Sequence, residues 1–175
     1  MKKVIKFICC GLFFMLSACR TQSIRPAIVP VVEPKINTQH SLGIIGAVEP
    51  IYILPMKTPF SARIDTGAAG SAIDVTDMHK FERDGEKWVS FVLINDSNGE
   101  THRFEKPIEK KVSIKRAKKD EKRIVVFMNV KIGNEIINAE FSLADREKFE
   151  YQALIGRNIL SGRAVVDCSI SNTLH

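Results

Sequence analysis

Residues 62–73 read ARIDTGAAGSAI. Apolar and β-forming residues lead into a single acid, Asp65, and small residues lead away from it. A carboxylate at the end of an apolar strand can simply cap a turn, since Asp before Gly is common there. Chemistry gives the three residues Asp65, Thr66 and Gly67 a second reading. Peptide hydrolysis by aspartates alone uses two carboxylates that share a proton, one to activate water and one to protonate the substrate carbonyl. A glycine lets the backbone turn tightly and bring its N–H to the acid. A threonine hydroxyl can tie one such loop to another. Asp-Thr-Gly alone is a weak signal, so the reading depends on what surrounds it.

Around this stretch, β signals dominate. Leu42–Val48 (LGIIGAV), Pro50–Pro55 (PIYILP) and Phe60–Asp65 come first. Trp88–Ile94 (WVSFVLI) ends at the turn-forming run Asn95–Gly99. Ile124–Ile132 and Ile136–Leu143 flank Gly133-Asn134, a hairpin signal, and Ala164–Asp167 closes the series. Helical character is confined to Leu154–Ser161, with a turn expected at Asp145–Phe149. No repeat is present. Many short strands separated by turns imply an all-β closed barrel or sandwich.

The second motif is ALIGRNIL, Ala153–Leu160. An apolar pair precedes Gly156-Arg157-Asn158 and another follows it. Here the chain resembles the retropepsin-like aspartic peptidases, which carry such a turn at the start of their one helix. The order of Asp-Thr-Gly strand, β-rich middle, hairpin and Gly-Arg-Asn helix also matches. With WVSF, RIVVFMNVKIG and FSLADR added, the sequence is similar to a bacterial retropepsin-like family often labelled "ATP-dependent zinc proteases". The resemblance covers about residues 42–168 and implies a retropepsin-like closed β-barrel with one short C-terminal helix. It implies that Asp65, Thr66 and Gly67 form the catalytic loop, supported by Gly156, Arg157 and Asn158. Retroviral relatives place an acid two residues after the glycine, as a partner for the helix arginine. This chain has Ala69 there, so Arg157 must use another partner, such as a backbone carbonyl or Asp167.

The metal and nucleotide of that label find no motif. His40, His79, His102 and His175 lack metal-ligand spacing, and no phosphate-binding Gly-x-x-x-x-Gly-Lys-Ser/Thr occurs. No cofactor and no metal are expected. Only one Asp-Thr-Gly occurs in 175 residues. A dyad therefore requires a second copy of the chain, and a twofold homodimer would bring both Asp65 side chains to its axis.

Counting back from the Gly133 hairpin places the substrate-covering flap at about 112–123, VSIKRAKKDEKR. Its charge is that of a solvated hairpin, or of one that attracts acidic substrate through Lys115, Arg116, Lys118 and Lys119. Nucleic acid is not an expected partner, because aromatic residues are absent from the run. The expected substrate is a peptide or protein, acidic or cell-wall derived. The rival readings are a non-catalytic peptide-binding barrel and an enzyme that trims glutamate-rich tails.

The N-terminus reads as a leader. Lys2, Lys3 and Lys6 precede the apolar run Phe7–Leu16, which is short for a membrane span. Leu16-Ser17-Ala18-Cys19 then fits a lipobox, with Cys19 as the acylated residue. Residue 20 is Arg, not Asp, which in Gram-negative lipoproteins implies sorting to the outer membrane, facing the periplasm. Losing residues 1–18 removes three lysines and no acid, so the formal charge falls from +6 to +3. Of four cysteines, only Cys168 would then remain as a thiol. No intramolecular disulfide is possible, and Cys168 is expected to be a small buried apolar residue. Residues 19–41, with Pro26, Pro30 and Pro34, read as a semi-extended tether. Residues 42–175 form the domain, large enough for one core.

Overall fold

The computed structural model describes residues 40–114 and 121–174. The leader, Cys19, the tether, His175 and the basic run holding Lys115, Arg116, Lys118 and Lys119 lie outside the described residues.

Six strands close into a barrel: β2 (Val48–Ile53), β3 (Phe60–Ile64), β4 (Ser71–Asp74), β9 (Glu121–Ile132), β10 (Glu135–Ala144) and β11 (Ala153–Ile155). Going round it, β10 pairs with β4, β4 with β11, β11 with β3, β3 with β2 and β2 with β9. The β9–β10 hairpin completes the ring. Alternation explains these strands. In β3, Phe60, Ala62 and Ile64 point inward, while Ser61 and Arg63 point out. Ala139, Phe141 and Leu143 of β10 do the same. Each large apolar side chain so buried contributes about 1.5–3 kcal/mol, and Ile51, Ile53, Phe141, Leu143 and Ile155 are among those fully enclosed.

Three further strands form a separate antiparallel sheet: β5 (Thr76–Arg83), β6 (Glu86–Ile94) and β7 (Thr101–Pro107). Val89, Phe91 and Leu93 project from it into the common core, and Phe91 stacks on Phe104 with ring centroids 5.5 Å apart. Asp84-Gly85, both at positive φ, makes the two-residue turn between β5 and β6. Strand β8 (Lys110–Ile114) pairs with residues 121–125 of β9. Strands β1 (Gly43–Ile45) and β12 (Ala164–Val166) form a parallel pair. In it Ile44 lies opposite Val165, and both are exposed.

The sequence expectation of an all-β barrel with one short helix holds, but four details change. The helix α1 is only Arg157–Leu160. Ala153–Ile155 is instead a strand, because it fills the gap between β3 and β4 with hydrogen bonds on both edges. LGIIGAV is two elements, with β1 ending at Ile45 and β2 beginning at Val48. Cys168 is exposed rather than buried. It sits in a turn beyond β12, where Asp167 accepts hydrogen bonds from the Ser169 N–H and hydroxyl.

Candidate active site

Asp65 is the first residue after β3 and is half-buried. Its N–H donates to the Ile155 carbonyl at 2.9 Å, which fixes it to the end of β11. Its Oδ1 accepts the N–H groups of Gly67 at 2.8 Å and Ala68 at 3.1 Å. Two backbone donors on one oxygen orient the carboxylate and leave Oδ2 for chemistry. Thr66 and Gly67 themselves are exposed at the tip of the loop.

The loop is held from below by the Gly156-Arg157-Asn158 turn. The Arg157 guanidinium donates through Nη1 to the carbonyls of Thr66 at 3.1 Å and Gly67 at 2.7 Å. Backbone carbonyls therefore replace the acid missing at Ala69. Asp167, the other partner considered, is engaged with Ser169, whose donors hold its carboxyl below the usual range. The first N–H groups of a helix have no partner within it. Here those of Arg157 and Asn158 donate to the carbonyls of Ala68 and Ala69. The contact is so close that a Cβ on Gly156 would lie 2.4 Å from the Gly70 carbonyl oxygen.

Ser71 completes the support, and the sequence reading gave it no role. Its hydroxyl accepts the Gly156 N–H at 3.0 Å and donates to Asn158 Oδ1 at 2.8 Å. Asn158 in turn donates to the Glu140 carbonyl at 2.9 Å. A hydroxyl directly before the apolar pair Ala72-Ile73 was the available signal.

Beside the loop lies a groove of about 490 Å³. One wall is Ala68–Ala72, another is the hairpin of β8 and β9 through Val112, Ile114, Arg123 and Val125, and Arg146 and Leu154 close it. This hairpin carries the stretch expected to be the flap. Its connecting residues, with the four cationic side chains, lie outside the described residues. The described groove supplies other cations. Arg123 is buried and paired with Glu121 at 2.7 Å, Lys110 meets Glu140 at 2.6 Å, and the Arg146 guanidinium stacks 4.5 Å from Phe149.

At the other end of β11 the charge reverses. Asp74 donates its N–H to the Gln152 carbonyl and, with Asp96, Asp145 and Glu147, lines a cavity of about 510 Å³. Burial, reinforced by the charges of Asp145 and Asp96, pushes the Asp74 carboxyl above its usual range. The Arg146 N–H at 2.5 Å opposes that rise. Of the histidines, His79 is paired with Asp77 on the surface and His102 stacks edge-on to Phe104.

A closed six-stranded barrel, with an Asp-Thr-Gly loop locked to a Gly-Arg-Asn helix, defines the retropepsin-like class. Comparison with known proteins agrees. A family model described as "RimB-like: Retropepsin-like aspartic endopeptidase RimB" matches residues 44–174, and the chain belongs to that family. Among curated proteins, a probable alpha-L-glutamate ligase of Shewanella pealeana is 33% identical over 132 residues, 73% of this chain. One from Desulfotalea psychrophila is 29% identical over 135 residues. The chain spans only 29% of the length of these relatives. A solved structure, protein Lpg0085 of unknown function from Legionella pneumophila, is 28% identical with a TM-score of 0.67, covering 76% of this chain and 98% of its own.

Proposed function

We propose that the chain is an aspartic endopeptidase, active as a homodimer in which each protomer contributes one Asp65. The observation that carries this reading is the Asp65 carboxylate, aimed by two backbone N–H groups on a loop bound through Arg157 to the helix. In the reaction, the ionised member of the pair takes a proton from water as its oxygen attacks the scissile carbonyl carbon. The protonated member gives its proton to the carbonyl oxygen. The resulting diol collapses as the amide nitrogen is protonated and leaves. Two carboxylates at one axis cannot both ionise freely, so activity falls as pH rises past the upper macroscopic pKa of the pair. No metal takes part, and a chelator leaves the rate unchanged.

The basic sequence run of Lys115, Arg116, Lys118 and Lys119 favours acidic peptides, and the glutamate-ligase names of the relatives fit trimming of glutamate-rich chains. The lipobox suits work at the periplasmic face of the outer membrane. The rival reading is a barrel that binds peptides without turnover.

One mixing experiment separates these. With nine parts Asp65→Asn to one part wild type, random dimerisation lowers activity per wild-type chain about tenfold. Unchanged activity per wild-type chain sinks the shared dyad. A wild-type protein that binds but never cleaves an acidic peptide library leaves the binding module.

A further inference from the structure

Glu49 sits on the inward face of β2 with Ile51 and Ile53 and is fully enclosed, yet its described carboxylate contacts include no cation. A carboxylate so placed is tolerated only when hydrogen-bonded. Its donors come from two places. Oε1 accepts the Gly46 N–H at 2.5 Å and the Thr173 hydroxyl at 2.7 Å. Oε2 accepts the N–H groups of Thr173 at 2.8 Å and Leu174 at 2.9 Å. Three of the four donors therefore belong to the C-terminal segment.

That segment reaches the candidate active site through backbone. The Ile170 carbonyl accepts the Ala47 N–H at 2.8 Å, and the Ala47 carbonyl accepts the N–H of Ile64 at 3.0 Å. Ile64 immediately precedes Asp65. Packing makes the contact close, since a Cβ on Gly46 would lie 2.4 Å from the Ile170 carbonyl oxygen.

We propose that residues 170–174 are a latch for the Asp65 loop and that Glu49 is the positioning residue that holds it shut. A docked latch fixes Ala47, Ala47 fixes Ile64, and the strand then presents Asp65 at one height. An undocked latch leaves the acid in place but loosens its approach. The catalytic part of this inference rests on the peptidase reading; the mechanical part does not.

The test uses the full chain. Glu49→Gln keeps volume but turns one acceptor into a donor, so two of the four donors face an N–H₂ group. Amide exchange is followed at the C-terminal segment, at Ile64 and Asp65, and in the β9–β10 hairpin as an internal reference. The expected result is exchange at least about fivefold faster at the segment and at Ile64 and Asp65, with the hairpin unchanged. In the peptidase assay kcat falls by a similar factor while KM stays. Faster exchange at the segment alone overturns the latch, as does a uniform rise that includes the hairpin, which marks Glu49 as a stability group only. Should Glu49→Gln fail to fold, Thr173→Val, which removes one hydroxyl donor, carries the same comparison with a smaller effect. If the wild type has no peptidase activity, the exchange result still decides the latch, and the peptidase reading alone fails.

Discussion

Asp65 and Asp74 stand at opposite ends of the three-residue strand β11, Asp65 tied by a backbone hydrogen bond to Ile155 at its end and Asp74 to Gln152 just before its start. Each directly follows an isoleucine, Ile64 or Ile73, and in the sequence they look alike. Their surroundings differ. Asp65 receives two backbone donors on one oxygen and lies beside a groove with Arg123 and Arg146 in its walls. Asp74 shares its cavity with three other acids, and desolvation, reinforced by the charges of Asp145 and Asp96, pushes its carboxyl up. An aspartate is thus made into a candidate catalytic group by which atoms donate to it and which charges face it.

The sharpest test of that contrast is activity in the paired variants. Asp65→Asn should lower peptide hydrolysis by roughly 10²–10⁴-fold, the range for a lost acid–base group, while Asp74→Asn leaves it within twofold of wild type. Equal losses in the two would erase the distinction.

Next in size is the support beneath Asp65. Gly156→Ala drives a methyl into the Gly70 carbonyl and should destabilise the fold by about 2 kcal/mol, read by urea denaturation, while also lowering activity. Arg157→Met keeps the aliphatic stem but loses both carbonyl contacts. A loss of about 1 kcal/mol, with faster amide exchange at Gly67 and Ala68, is expected. Exchange that stays at wild-type rates would mean the guanidinium does not hold the loop.

The smallest effect belongs to Asp74. Its folded-state carboxyl binds a proton more tightly than in the unfolded chain, so ionisation opposes folding as pH rises above its usual 3.8. Asp74→Asn retains an oxygen for the Arg146 N–H and removes that penalty. Thermal melting should show the variant more stable than wild type at neutral pH, with the gain vanishing below pH 3.8. A gain that persists in acid would assign it to packing instead.

Much of the barrel was legible because its strands alternate. Phe60–Ile64 and the Gly133 hairpin carry inward residues at period two, and the structure keeps them, whereas Val89–Leu93 of the separate sheet is buried throughout. Strand β5, TDMHKFER, was not legible. It lies at the edge of its sheet with most side chains exposed, so no apolar face marks it, and the Asp84-Gly85 turn that ends it went unread. Leu154-Ile155-Gly156 read as the start of a helix because apolar and small residues fit either period. Only the vacancy between β3 and β4 makes residues 153–155 a strand.

The sequence by itself determined the fold class, the Asp-Thr-Gly loop and the Gly-Arg-Asn turn, since these rest on local pattern and on residue types with few alternatives. Tertiary structure alone decided that Thr66 and Gly67 carbonyls receive Arg157, that Ser71 locks the turn, and that Glu49 holds the C-terminal segment. Those contacts join residues about 85 to 125 positions apart. A hydrogen bond carries no periodicity along the chain, and its partner becomes known only once the barrel has closed.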